Sequence, residues 1–167
     1  MRSPLLACLA LVVCASALGA AGCGGDGGGG ERLSKADFVS QANTICRDAN
    51  KEAEGLKPDL PSDFDPTSES VTDDQLDTFG DYIEEITGIF RDQVDELRGL
   101  KPPEDFQDDF DRALDLVDET LNESEAAADA AHDGDRETMN AKLDESERNS
   151  DEANRIANGY GLTDCGG

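Results

Sequence analysis

"LDTFGDYIEEITGIFRDQVDEL", Leu76 to Leu97, decides the fold. Leu76, Phe79, Ile83, Ile86, Phe90, Val94 and Leu97 recur every three or four residues, which lines them up along one face of a helix and scatters them over both faces of a strand. Thr72, with Gln75 three residues on, sets a capping box ahead of the stripe. Behind it, Gly99 is expected to take the left-handed conformation that closes a helix, and Pro102-Pro103 block any continuation.

The same period runs outward in both directions. Ser34 and Asp37 mark a helix start, followed by Phe38, Ala42, Ile45, Cys46, Ala49 and Ala53. Past the prolines, Glu104 and Asp105 place carboxylates in the first turn of a third helix, where they complement its dipole. Its stripe is Phe106, Phe110, Leu114, Val117, Leu121, Ala128 and Ala131. Gly134 stops it, and Asp135 caps a fourth helix with the thinner stripe Met139, Leu143, Ala153, Ile156 and Tyr160. That last helix is expected to fray first. No segment alternates as a strand would, so the chain reads as all-α, a four-helix bundle over residues 34–167. Very short turns join the second to fourth helices, making them antiparallel neighbours; up-down-up-down is the simplest arrangement. Leu56 to Val71, with three prolines, reads as an irregular loop, which leaves the direction of the first helix open.

The chain has 167 residues, 37% hydrophobic and 32% charged, enough for one domain and too few for a two-lobed α/β solute-binding body. Its formal charge is −25, from 39 acidic and 14 basic residues. No Lys/Arg cluster is present to neutralise phosphates, which argues against nucleic acid as a partner. Cations, basic proteins or solvent alone suit such a surface.

Residues 1–22 read as a signal peptide. Met1-Arg2 is followed by an apolar run from Leu5 to Leu18, shorter than the ~20 apolar residues of a transmembrane helix. Ala20-Ala21-Gly22-Cys23 resembles the bacterial lipobox, with Ala20 in place of the usual Leu, and Cys23 is the thiol that would carry the lipid. Residues 23–33, rich in glycine, then act as a flexible tether. An ordinary secretory cut after Ala15-Ser16-Ala17 is the alternative, and would leave Cys23 a stray thiol.

Lipidation changes the cysteine arithmetic. Cys8 and Cys14 leave with the signal peptide and Cys23 is acylated, so of five cysteines Cys46 and Cys165 remain. An even pair in an exported chain reads as a disulfide. The tail from Gly159 to Cys165 is too rich in glycine to extend the fourth helix. It is expected to lie extended along the first helix and bring its cysteine to Cys46.

"SKADFVSQANTICRDAN" (Ser34–Asn50) and "ANGYGLTDCGG" (Ala157–Gly167) resemble the two ends of small actinobacterial exported lipoproteins of unknown function. The matching positions are Ala42, Ile45 and Cys46, then Tyr160, Gly161, Leu162, Cys165 and Gly166, with a central Leu100–Pro103. The resemblance implies a helical body with paired cysteines and brings no activity with it.

Motifs for chemistry are few. Asp129 and His132 form D-x-x-H, but a carboxylate-bundle iron site needs two such histidines and the chain has one. His132 is therefore read as a polar residue at a helix C-terminus. "DGDRE" lacks the acidic spacing of an EF-hand loop. No haem-attachment motif, phosphate-cradling loop or serine elbow is present. Catalytic, cofactor-binding and metal residues are therefore assigned to none, and the chain is read as a non-enzyme. The expected function is a binding or scaffolding module, held by lipid to the outer face of the cytoplasmic membrane, with an envelope protein or cations as partners. An acidic cation- or metal-binding protein is the alternative, and a cell-wall-active enzyme a more distant one.

Overall fold

A computed structural model describes residues 31–68 and 70–166. Cys23, the expected signal peptide of residues 1–22 and most of the expected tether lie outside the described residues. Four helices, α1 (Lys35–Ala53), α2 (Asp73–Arg98), α3 (Gln107–His132) and α4 (Arg136–Tyr160), form the body, with no strand among the described residues.

The starts follow the capping signals. The Asp37 backbone N–H donates to Ser34 Oγ at 3.2 Å. Thr72 and Gln75 make the full reciprocal box, at 3.3 and 3.0 Å. At α4, Asp135 accepts from the Thr138 N–H at 3.1 Å. α3 begins differently from expectation. Glu104–Phe106 form a 3₁₀ turn after the prolines, and the α-helix proper starts at Gln107 without a side-chain cap.

Gly99 does not close α2 in the left-handed region, because its φ is −69°. The positive φ values fall on Gly134 (70°) and Gly161 (100°). Each ends its helix in a Schellman motif. Asp135 N–H bonds the Ala130 carbonyl at 2.8 Å, and Leu162 N–H bonds the Ala157 carbonyl at 2.9 Å. At α2 the two prolines end the helix without that reversal.

Successive helices pair in opposite order along the chain. Arg98 meets Asp118, Arg91 meets Glu125 and Asp77 meets His132 between α2 and α3. Arg112 reaches Glu152, and Ser124 reaches Ser146, between α3 and α4. The Leu33 N–H bonds the Lys101 carbonyl at the far end of α2, while Cys46 meets Gln93 higher up. With only 19 residues, about 28 Å at 1.5 Å per residue, α1 covers less of the body than α2, which has 26.

Two apolar cores result. Phe38, Cys46, Val94, Phe110, Leu121 and Leu162 fill the one beneath α1. There Phe38 meets Phe106, Phe110 and Tyr160 edge-on, while Tyr160 stacks on Phe106 and carries the Lys35 ammonium 4.0 Å from its ring centre. The second core holds Val71, Leu76, Ala127 and Met139, and the loop before α2 covers it with Phe64, 5.3 Å from Phe79. Arg136 fastens that loop by donating to the carbonyls of Ser68 and Val71.

Cys46 and Cys165 are bonded, with sulfurs 2.05 Å apart. The path of the tail corrects the expectation of an extended run. Gly159 stays helical, α4 continues to Tyr160, and the chain then turns tightly, with Cys165 N–H bonding the Leu162 carbonyl at 3.1 Å. Side chains of α1 on either side of Cys46 hold it. Asn43 accepts from the Asp164 N–H and donates to the Gly161 carbonyl, Asn50 donates to the Asp164 carbonyl, and Arg47 pairs with the Asp164 carboxylate.

Candidate functional site

Asp77, Asp81 and Glu84 follow one another at four and three residues on α2, so all three carboxylates rise from one face of the helix. The end of α3 lies across that face and lays the imidazole of His132 among them. Gly80 makes the fit. A β-carbon there would stand 2.7 Å from Nε2 and 2.8 Å from Cε1, so the ring occupies the space a side chain would take. The His132 side chain is 26% exposed.

The two ring nitrogens have different neighbours. Nδ1 stands 2.6 Å from Asp77 Oδ1, a short charge-assisted hydrogen bond. Nε2 stands 3.6 Å from Glu84 Oε1 and 3.9 Å from Asp81 Oδ1. These separations exceed a hydrogen bond and fall within ion-pair range. The Asp77 hydrogen bond raises the His132 pKa above its ordinary value, partial burial opposes it, and the charges of Asp77, Glu84 and Asp81 add to the rise. In the neutral ring the bond to Asp77 keeps the proton on Nδ1, and the Nε2 lone pair then faces the other two carboxylates. One ligand atom from each of Asp81, Glu84 and His132 lies within 4.8 Å of the others.

The D-x-x-H pairing read from sequence is not the one the structure makes. The carboxylates that meet His132 come from α2, and Asp129 of its own helix is not among them. Spacing within α3 carried no sign of them; the relevant signal is a four-and-three run of carboxylates around a glycine in another helix. "DGDRE" is absorbed by structure: Gly134 ends α3, Asp135 caps α4 and Arg136 ties down the loop.

A cleft of about 250 Å³ opens between α2, α3 and α4 beside the disulfide. Gln93, Thr120, Ser150 and Asn154 supply its polar wall. Gln93 donates to Cys46 Sγ at 3.1 Å, while its buried Oε1 has no hydrogen-bond partner. No helix among the described residues is long and apolar enough to cross a membrane. No protein-family model, curated protein or solved structure matches the chain.

Proposed function

We propose that this chain is an exported lipoprotein of the small actinobacterial kind its two ends resemble. Cys23 tethers it to the outer face of the cytoplasmic membrane, where it acts as a binding or scaffolding module of the envelope and not as an enzyme. The Cys46–Cys165 bond is the observation that carries this reading, since disulfides persist in oxidising compartments and are rare in the cytosol. With that pair bonded and the signal peptide gone, Cys23 is the one remaining thiol, at the head of a glycine tether. A single acyl chain gives only marginal membrane binding, whereas the two or three chains of a bacterial lipoprotein anchor stably. The mature charge supports a protein or cation partner over nucleic acid. Removing Arg2 leaves 13 basic against 39 acidic residues, a net −26.

Intact-mass analysis of membrane-extracted protein tests the tether. The expected mass is that of residues 23–167 plus a diacylglycerol or triacyl group, and Cys23→Ala should move the protein from the membrane to the medium. An N-terminus upstream of Cys23 with an unmodified thiol would exclude this reading.

The alternative of an acidic cation-binding protein gains support from one place, the His132 cluster, and there it takes a specific form.

A further inference from the structure

We propose that His132, Asp81 and Glu84 form a binding site for one divalent transition cation of the zinc class, with Asp77 holding the imidazole in position. The inference stands apart from the lipid tether, since every residue it uses is in the folded body.

The donor set selects the metal. One imidazole nitrogen with two carboxylate oxygens suits Zn²⁺ and its first-row neighbours, whereas Ca²⁺ and Mg²⁺ take oxygen ligands. The distances suit it as well. Tetrahedral ligands about 2.0–2.2 Å from zinc stand roughly 3.3–3.6 Å from one another. Nε2 is already 3.6 Å from Glu84 and 3.9 Å from Asp81. Both carboxylate side chains are mostly exposed, at 55% and 75%, and so can turn to close the remaining gap without moving the backbone.

Asp77 supplies what a metal-binding histidine needs on its other side. A carboxylate accepting the Nδ1 proton fixes the tautomer, aims the ring and raises the basicity of Nε2. The bond is 2.6 Å, shorter than either contact at Nε2. Gly80 completes the arrangement by leaving the space in which the ring lies. Three protein ligands leave a fourth position to water, as in zinc sites that exchange or act on what they bind. A histidinium satisfied only by the surrounding carboxylates would use the same residues but bind no metal stoichiometrically.

The test uses the whole mature chain, tag-free and carrying Cys23→Ser, titrated with ZnCl₂ by calorimetry while NMR follows the imidazole. Because the chain has one histidine, the imidazole signals belong to His132 alone. One Zn²⁺ per chain at micromolar affinity is expected, with His132 signals saturating at the same equivalence. H132Q should abolish the saturable site. D77N should weaken it by about 10–100-fold, with D81N and E84Q weakening it further and the distant D105N leaving it unchanged. If H132Q unfolds, the wild-type imidazole shift decides. Absence of saturation, saturable binding that leaves the His132 signals unmoved, or Ca²⁺ bound as tightly as Zn²⁺ would each overturn the proposal.

Discussion

Gly80 faces His132 so closely that any side chain on it would take the space of the imidazole. Gly80→Ala should therefore push the ring away from Asp77 while the fold holds, because alanine also favours the helix by about 1 kcal/mol over glycine. A moved His132 signal, a weaker Zn²⁺ isotherm and a melting temperature within a few degrees of wild type are expected. Unchanged imidazole signals would show that the ring does not depend on that space.

Reducing the Cys46–Cys165 bond should cost much of the stability. The bond closes a separation of 119 residues, for which the chain-entropy model gives roughly 5 kcal/mol as an upper figure. Against a total of about 5–15 kcal/mol, this is a large share. Melting with and without reductant should differ by more than about 10 °C, and C46S/C165S should match the reduced protein. A melt indifferent to reductant would count against this account.

Phe64 covers the second core from a loop that has no helix or strand among its described residues. Phe64→Ala should cost about 1–3 kcal/mol, less than the full loss of a wholly buried ring. The helical circular-dichroism signal should be retained, and limited proteolysis should cut faster within residues 54–71. Equal cleavage rates in variant and wild type would mean that Arg136 alone holds the loop.

The α4 cap predicts a dependence on acid. Hydrogen bonds from the Thr138 backbone N–H and then its hydroxyl hold the Asp135 pKa below the ordinary aspartate value. A folded pKa below the unfolded one contributes stability that is complete above the unfolded value and is lost as pH falls through the folded value. Asparagine caps a helix about as well but does not titrate. The urea midpoint of wild type should therefore fall relative to that of D135N as pH drops below the usual aspartate range. A constant difference from neutral pH into acid would exclude this origin.

Moderate salt should stabilise the body. Cross-helix pairs such as Arg91–Glu125 and Arg112–Glu152 stitch adjacent helices, yet exposed pairs contribute little each, and the formal charge of −25 acts over the whole surface. Raising salt from 0.01 M to 0.1 M shortens the Debye length from ~30 Å to ~10 Å and damps that repulsion. The melting temperature should rise over this range, and a fall would show the bridges dominating.

The helices were legible because each buries a stripe whose period the sequence displays. Phe38, Leu76, Phe110 and Met139 are all buried where the pattern puts them. The disulfide was legible from counting cysteines, but not the path to it. Gly159 lies within α4 because one glycine costs a helix only about 1 kcal/mol, and the turn comes at Gly161, where φ is positive. Gly99 shows the reverse error, a glycine after a helix that keeps a right-handed backbone. The His132 cluster was hidden for a different reason. Its carboxylates sit 48 to 55 residues before the histidine in sequence, on the polar face of α2. Among 39 acids, such a run looks like any other solvated surface until the packing of α2 on α3 is known.

The Cys46–Cys165 bond also fixes how the molecule would carry tension. A pull applied at Leu33 and resisted at Gly166 runs along α1 as far as Cys46, crosses the sulfurs and leaves through the last turn. The covalent chain of α2, α3 and α4 hangs from that crossing as a closed side loop, so once the contacts of α1 yield none of it can be drawn out. A pull between these two ends would therefore unravel the chain only as far as Cys46, and the loop that carries the carboxylates around His132 would stay covalently closed.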